Sequence, residues 1–258
     1  MGELSIKEKQ RLLLELLKAF DKFAKENNIT YFVCSGSCLG AVREGGFIPW
    51  DGDVDIVLPL TMYEKCEQLL MKSSIEGIRW ISYKTDKKAP NLMGRVYGKN
   101  VDFQHFEEYP YLDIFVLVGM SSNKKIQKNM MDKSLTNYRI YWIKKREYLK
   151  SLNRRKSRIG LLLKIALFWY PLKVCIRRFE RDLKLYDYDS SEEVAALTGL
   201  YGQKEVMPKK WFEKPVYVKF CDMKIPVSSY YKDYLKHMYG DNYMTPVQFK
   251  RYQGNDGN

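Results

Sequence analysis

Residues 46–56 read GFIPWDGDVDI and place three aspartates on alternate positions, after a Pro-Trp pair and before an apolar run. The apolar run, VDIVLPL at 54–60, predicts a strand that is at least half buried. Side chains alternate between the two faces of a strand, so Asp53 and Asp55 should point the same way. Asp51 joins them if Gly52 does not turn the backbone aside. Carboxylates gathered beside a core predict a site for Mg²⁺ or Mn²⁺.

Two other interpretations of the acidic stretch are possible. An EF-hand loop also begins with alternating aspartates, but it needs Gly at loop position 6 and Glu at position 12. Counted from Asp51, those positions hold Ile56 and Met62, so the EF-hand pattern fails. A solvated acidic turn is the second alternative. The chain has no basic residue between Arg43 and Lys65 that could pair with the acids, which favours a bound metal over the turn.

A Ser-Gly-Ser sequence at 35–37 precedes the aspartates and indicates a phosphate site. It follows ITYFVC (29–34), a β-branched and aromatic stretch that predicts a strand, and it precedes a short predicted helix. Backbone N–H groups and a hydroxyl at such a helix start can bind an anion. Together with the Asp-x-Asp strand, this predicts a nucleotidyltransferase-type site. A third carboxylate would come from a neighbouring strand, and Asp113 in YLDIFVLV (111–118) is the candidate. The alternative for Asp113 is a simple strand-edge acid.

The order of predicted helices and strands indicates an α/β (α+β) fold, with a nucleotidyltransferase-like mixed sheet and flanking helices over residues 1–120. Residues 121–190 are predicted to form a basic, amphipathic helical region, and residues 191–258 a hairpin and a helix that pack back on the core. Within the last segment, SEEVAALTG (191–199) predicts a helix. VYVKFCDMKIPV (216–227) predicts a hairpin that turns at Cys221-Asp222, and SSYYKDYLKHMYG (228–240) predicts a helix that Gly240 ends.

The helical region contains a strongly basic stretch followed by an apolar one. Residues 144–158 carry eight basic side chains and one acidic side chain. Lysines and a proline interrupt the apolar stretch at 159–178, which therefore falls short of the roughly 20 apolar residues of a membrane span. Two interpretations remain open: a helix pair that packs on the core, or an interfacial helix over 161–176 on an anionic membrane surface. The second would place the protein peripherally on the cytoplasmic face of the cell membrane.

Composition narrows the class of protein. The formal net charge of +13 indicates an anionic partner, which could be a nucleic acid, a phosphorylated substrate or a lipid surface. Five cysteines without a Cys-x-x-Cys pair, and two histidines, disfavour a zinc fold or a disulfide scaffold. We therefore expect a reduced cytoplasmic protein. The polar first residues show no secretory signal.

Three motifs resemble those of one known family. CLGAVREGGFIPWDGDVDI (38–56) closely resembles the signature of the LicD-type phosphotransferases, relatives of the fukutin group within the nucleotidyltransferase superfamily. YLDIF (111–115) resembles the second block of that family, and IPVSSYYKDYLKHMYGDNYMTP (225–246) its terminal element. Three features depart from the pattern. Gly52 replaces the middle of three consecutive acids, Glu44 stands where a basic or His residue is frequent, and DIFVLVG (113–119) lacks the second acid that often follows.

The resemblance implies transfer of a phospho-alcohol from a CDP-linked donor, CDP-choline first, to a sugar hydroxyl of a cell-surface glycan. Capsule, teichoic acid, lipopolysaccharide and lipid-linked glycans are all candidate acceptors, and no nucleic acid is expected. It implies Mg²⁺ or Mn²⁺ on Asp53 and Asp55. Asp113 would be a further metal ligand or the base for the acceptor hydroxyl. The donor phosphates would be bound by Ser35, Gly36, Ser37, Arg43 and Arg95.

Three other functions share parts of these patterns. A nucleotidyltransferase that moves a nucleoside monophosphate to RNA, protein or a small molecule would explain the Ser-Gly-Ser and Asp-x-Asp motifs, but not the Pro-Trp block or the terminal element. A sugar-nucleotide glycosyltransferase also uses Asp-x-Asp, although normally after a longer Rossmann-like unit. An RNA-binding or membrane-adaptor protein would explain the charge, but the chain has no RNP-like aromatic block.

Overall fold

A computed structural model describes residues 4–72, 77–89, 91–99, 109–145 and 154–246, and of residues 154–158 it describes the backbone. One sheet of seven strands organises these residues. Its main path runs β1 (Phe32–Val33), β2 (Val54–Pro59), β5 (Tyr111–Gly119), β4 (Arg95–Gly98) and β3 (Ile78–Ile81). The sheet continues from β5 into β6 (Glu193–Ala196) and β7 (Val206–Pro208). The predicted α/β class is confirmed.

Strand β5 is the centre of the sheet. It pairs in parallel with β2 along one side. Along the other side, its first residues pair with β4 and its last residues with β6, both antiparallel. Apolar residues fill its second half, from Val116 to Val118, and are fully buried, as is typical of a strand covered on both faces. Strand β5 therefore brings together β2, β4 and β6, which come from distant parts of the chain.

Helices lie before, between and after the strands of the sheet. The chain begins with α1 (Ile6–Glu26), which starts at a capping box between Ser5 and Glu8. Between the strands of the first half lie α2 (Ser35–Arg43) and α3 (Leu60–Lys72). The second half contains α4 (Lys124–Lys145), α5 (Arg154–Ala166) and α6 (Leu172–Leu183), then the hairpin of β8 (Pro215–Phe220) and β9 (Met223–Ser228), and finally α7 (Tyr231–Tyr239).

One hydrophobic core draws on all parts of the chain. Phe20 of α1, Met131 of α4 and Leu235 of α7 are buried in the same cluster. These residues come from each of the three segments, 1–120, 121–190 and 191–258, whose boundaries stay a prediction. No helix in the described ranges has the length and apolar content needed to cross a membrane.

Two elements differ from the sequence prediction. The helix predicted at 191–199 is wrong, because Glu193–Ala196 forms β6 and pairs with both β5 and β7. The gain from pairing with a buried strand outweighs the helix propensity of two alanines. The single helix over 161–176 is also wrong, because α5 ends at Ala166 and Pro171 caps the start of α6.

The hairpin and the last helix agree with the prediction. The strands β8 and β9 turn at Cys221-Asp222, where Cys221 has a φ of +54°. Helix α7 ends at Gly240, whose φ of +89° is readily adopted by glycine. The hairpin lies against α2, since the backbone N–H of Cys221 donates to the carbonyl of Gly45. The last quarter of the chain is thereby held against the loop that leads to the aspartates.

Candidate active site

Two aspartates lie side by side on the sheet. Asp55 of β2 and Asp113 of β5 are in register in the parallel pair, so their side chains share one face. Residues 34–37 hold the backbone of Asp55 from both sides. The carbonyl of Asp55 accepts from Cys34 N at 3.0 Å, and its N–H donates to the Ser37 hydroxyl at 3.0 Å. The prediction that Asp113 comes from a neighbouring strand is thus matched by the sheet geometry.

The loop before β2 brings Asp51 to the same place. Gln10 of α1 donates from its side-chain amide to the carbonyls of Ile48 and Asp51, at 3.1 and 2.8 Å. A Cβ on Gly36 would lie 2.8 Å from Asp51 Oδ2, so the carboxylate lies directly over the first turn of α2. The absence of a side chain at Gly36 is therefore what allows this approach.

The aspartate cluster carries more negative charge than its surroundings stabilise. Burial, and next the neighbouring Asp51, raise the pKa of Asp53 to about 7. Burial also raises the pKa of Asp51, although a hydrogen bond with Asp53 opposes the shift. Burial raises the pKa of Asp55 well above its usual range, and the charges of Asp53 and Asp113 add to this. A cation placed among these groups would relieve the repulsion.

The donor set fits a divalent cation that keeps part of its water. Carboxylate oxygens are the ligands that Mg²⁺ and Mn²⁺ prefer. In the part of the chain that the structure describes, no three His, Cys, Asp or Glu side chains converge into a complete metal site. Mg²⁺ typically binds through one or two carboxylates together with substrate phosphates and waters, so Asp53 and Asp55 would suffice as protein ligands.

Asp113 is paired with Arg95. The two residues face each other across β4 and β5, and Arg95 Nε donates to Asp113 Oδ1 at 2.7 Å. The guanidinium also lies 3.8 Å from the centre of the Tyr111 ring. Burial alone would lower the pKa of Arg95, but the Asp113 carboxylate, together with the Tyr111 and Tyr97 hydroxyls, outweighs burial and raises that pKa. Arg95 therefore lies behind Asp113 and neutralises it. The predicted role of Arg95 in phosphate binding stays a prediction.

The Ser-Gly-Ser sequence forms the first turn of α2. Ser35 has a φ of +49°, which is uncommon for serine, and its N–H donates to the Tyr234 hydroxyl at 2.9 Å. Ser37 is buried, and its hydroxyl accepts from Asp55. Ser35 and Gly36 line the cavity described next, while Ser37 fixes α2 to β2. The three residues thus lie together at a helix start, with different local roles.

A cavity of about 770 Å³ opens over these residues, a size typical of a ligand site. One wall holds Ser35, Gly36, Asp51, Asp53, Asp55 and Asp113. Arg43, the last residue of α2, also lines it, and its Nε donates to Glu44 at 2.7 Å. Arg43 additionally reaches the carbonyl of Tyr243 at 3.4 Å, which connects α2 to the chain after α7.

Sequence reasoning did not find the rest of the lining. Tyr201 and Glu205 come from the turn after β6, and Tyr234 and Tyr239 come from α7. Tyr201, the first of them, lies 88 positions after Asp113 and 146 after Asp55 in the chain, and a local pattern cannot reveal such a distance. The terminal motif at 225–246 was the one available signal, because it contains both α7 tyrosines.

Comparisons with known proteins agree with this geometry. Residues 28–161 match the family model described as LicD/FKTN/FKRP, nucleotidyltransferase domain. The lipopolysaccharide cholinephosphotransferase LicD of Haemophilus influenzae is 23% identical over 261 residues, which cover 96% of this chain and 95% of that protein. An uncharacterized protein of Rickettsia typhi is 48% identical over 52 residues, or 20% of this chain and 17% of that protein. Another, of Rickettsia prowazekii, is 30% identical over 120 residues, covering 46% and 38%.

Proposed function

The chain belongs to the LicD/FKTN/FKRP nucleotidyltransferase-domain family, and on that premise we propose that it transfers phosphocholine, or a similar phospho-alcohol, from a CDP-linked donor to a sugar hydroxyl of a cell-surface glycan. The aspartates that share one cavity wall with the start of α2 carry this proposal. A relative that aligns over almost its whole length is named for cholinephosphotransfer and for lipopolysaccharide, which supports choline as the alcohol and a surface glycan as the acceptor.

The residues that line the cavity would have different roles in phosphoryl transfer. Asp53 and Asp55 would hold Mg²⁺ or Mn²⁺, and the ion would supply positive charge to the donor diphosphate. Asp51, which lines the same cavity, is a further candidate ligand. At the helix start, the Ser35 hydroxyl and the Gly36 N–H would orient a phosphate oxygen, since the Ser35 N–H already donates to the Tyr234 hydroxyl. Arg43 would bind another oxygen of the diphosphate. These groups hold the donor so that the acceptor hydroxyl can attack in line.

Asp113 would act on the acceptor. The acceptor oxygen forms a bond to the phosphorus that carries the alcohol, the bond from that phosphorus to CMP breaks, and CMP leaves with the electron pair. The proton of the acceptor hydroxyl passes to Asp113. Because Arg95 already occupies Oδ1 of Asp113, the second carboxylate oxygen is the one that would receive the proton.

Thermal denaturation with nucleotides tests the donor. We expect CDP-choline with Mg²⁺ to raise the unfolding temperature by several degrees, since a ligand at ~100 times its Kd adds about 2.7 kcal/mol. CDP-glycerol, CDP-ribitol, CTP, ATP and UDP-glucose, each with and without Mg²⁺, are the comparison set. A shift with CTP or ATP alone would favour the nucleotidyltransferase alternative. The absence of any shift with every CDP-alcohol would contradict the proposal.

We also propose that the protein works peripherally at the cytoplasmic membrane face, through the apolar surface of α5 and the turn that follows. Leu162 is 66% exposed, Phe168 69% and Trp169 88%, so large apolar side chains of this segment lie in water. Exposed Lys173 and Arg177 of α6 follow closely in the chain. Apolar and aromatic side chains beside basic ones suit an anionic lipid surface better than a neutral one.

Vesicle flotation tests the membrane contact. We expect binding to vesicles that contain phosphatidylserine, weaker binding to pure phosphatidylcholine, and a roughly tenfold loss when Leu162, Phe168 and Trp169 are all changed to Ser, since each loses apolar burial. A matched triple change to Ser at other exposed apolar residues, Met71, Ile126 and Leu185, is the control and should bind as the unchanged protein does. Equal binding by both triple variants, or no preference for anionic vesicles, would contradict the contact.

A further inference from the structure

A buried carboxylate from the last quarter of the chain also lines the cavity. Glu205 ends a short 3₁₀ helix (Gly202–Glu205), and its side chain is 7% exposed. Within the described residues, its one hydrogen bond comes from the backbone N–H of Tyr201 to Oε1 at 3.2 Å. Burial raises the pKa of Glu205 to about 7, and no described Lys, Arg or His contributes to stabilising its ionised form. The cavity therefore contains a second negative group without a counter-charge.

The backbone is shaped to hold Glu205 in this position. A Cβ on Gly199 would lie 2.1 Å from Glu205 Oε1 and 2.1 Å from its carboxyl carbon. The carboxylate thus lies directly against the Gly199 α-carbon, where any larger residue would displace it. Gly199 and Glu205 both line the cavity, so the space beside them opens towards a ligand.

Two tyrosines line the same cavity as this carboxylate. Tyr201, which is half exposed, and Tyr239, the last residue of α7, line the same cavity, and their ring centres are 6.3 Å apart at an angle of 79°. Burial raises the pKa of both hydroxyls, and nearby carboxylates add to the increase. Tyr201 lies within the electrostatic range of both Glu205 and Asp55. Tyr201 therefore lies near both Glu205 and the aspartates that line the cavity.

We infer that Glu205, Tyr201 and Tyr239 form the subsite for a quaternary ammonium group, and so select the alcohol of the donor. This inference rests on the proposed function. A trimethylammonium group has no hydrogen to donate, so it is recognised by ring faces and a nearby negative charge, which are what this wall offers. A neutral polyol would instead need several hydrogen-bond partners in the positions of the rings.

Glu205→Gln tests whether the negative charge of this side chain, and not its shape, binds the ammonium group. The glutamine keeps the size of the side chain and an oxygen for the Tyr201 N–H, but it removes the negative charge. By calorimetry with Mg²⁺, we expect CDP-choline to bind about tenfold more weakly, or worse, while CDP-glycerol changes by less than about twofold. Glu213→Gln, at an exposed position outside the cavity, is the matched control and should leave both affinities unchanged.

The rings are tested separately. Tyr239→Phe retains the aromatic face and should bind CDP-choline nearly as well as the unchanged protein, whereas Tyr239→Leu should lose several-fold in affinity. In the unchanged protein, tetramethylammonium should compete with CDP-choline and not with CDP-glycerol. This competition needs no variant, so it tests the ammonium subsite even if a substitution at Glu205 impairs folding.

The outcomes separate this inference from the proposed function. Equal loss of CDP-choline and CDP-glycerol affinity in Glu205→Gln, or no loss of either, overturns the ammonium subsite and leaves phospho-alcohol transfer standing. Tighter binding of CDP-ethanolamine than of CDP-choline would show that the subsite binds a primary ammonium group, and it would overturn the assignment to a quaternary ammonium group. Failure of the unchanged protein to bind any CDP-alcohol overturns the proposed function itself.

Discussion

Asp53→Asn should lower the rate of phospho-alcohol transfer by about a thousandfold or more, equivalent to roughly 4 kcal/mol of transition-state stabilisation. Asparagine keeps the shape of the side chain but cannot supply the charge that holds a divalent cation. The measurement is turnover of CDP-choline, or of whichever CDP-alcohol stabilises the protein, at saturating Mg²⁺. Asp132→Asn, on an exposed face of α4 far from the cavity, is the matched control and should retain full activity.

The same substitution should not destabilise the protein. Asp53 has a pKa of about 7 in the fold, well above its value in an unfolded chain, so its ionised form opposes folding. This opposition is fully present above pH 7 and is relieved as pH falls through 7 towards 4. At pH 8 without Mg²⁺, Asp53→Asn should therefore unfold at the same temperature as the unchanged protein or a higher one. Near-normal turnover in the folded variant would contradict the assignment of Asp53.

Much of the acidic wall could be predicted from local sequence. Alternation on a strand places Asp53 and Asp55 together, and the apolar run after them predicts a strand that is at least half buried. The second block, YLDIF, predicted a neighbouring strand with Asp113, which the parallel register of β2 and β5 matches. These features depend on spacing within a few residues, so one sequence is enough to find them.

Other parts of the site depend on pairings that local sequence does not encode. Arg95 meets Asp113 because β4 and β5 are antiparallel neighbours, and nothing near either residue predicts that register. The Ser37 hydroxyl accepts from Asp55, a contact that needs α2 to lie against β2. Glu205 reaches the cavity because residues 193–196 form a strand, and the alanines there had predicted a helix.

Gly40→Ala should lower the free energy of unfolding by about 3 kcal/mol, although alanine is the better helix former by ~1 kcal/mol. Gly40 lies within α2, and a Cβ there would be 2.5 Å from the Gly46 carbonyl oxygen and 3.1 Å from Ile48 N. Both contacts are with backbone atoms, which cannot rotate away as a side chain could. The clash therefore outweighs the helix propensity, and α2 and the loop after it must move apart.

Urea denaturation measures the loss, with Gly98→Ala as the matched control. A Cβ on Gly98 would meet no atom of the described residues within 4 Å, so that substitution should change stability by less than about 0.5 kcal/mol. Gly40→Ala should also weaken Mg²⁺-dependent donor binding, because residues 46–48 lead directly into the Asp51–Asp55 stretch. Stability and donor affinity should therefore both fall in Gly40→Ala, whereas in Asp53→Asn donor affinity should fall and stability should not. A Gly40→Ala protein as stable as the unchanged one would mean that α2 and this loop are not packed as closely as the structure has them.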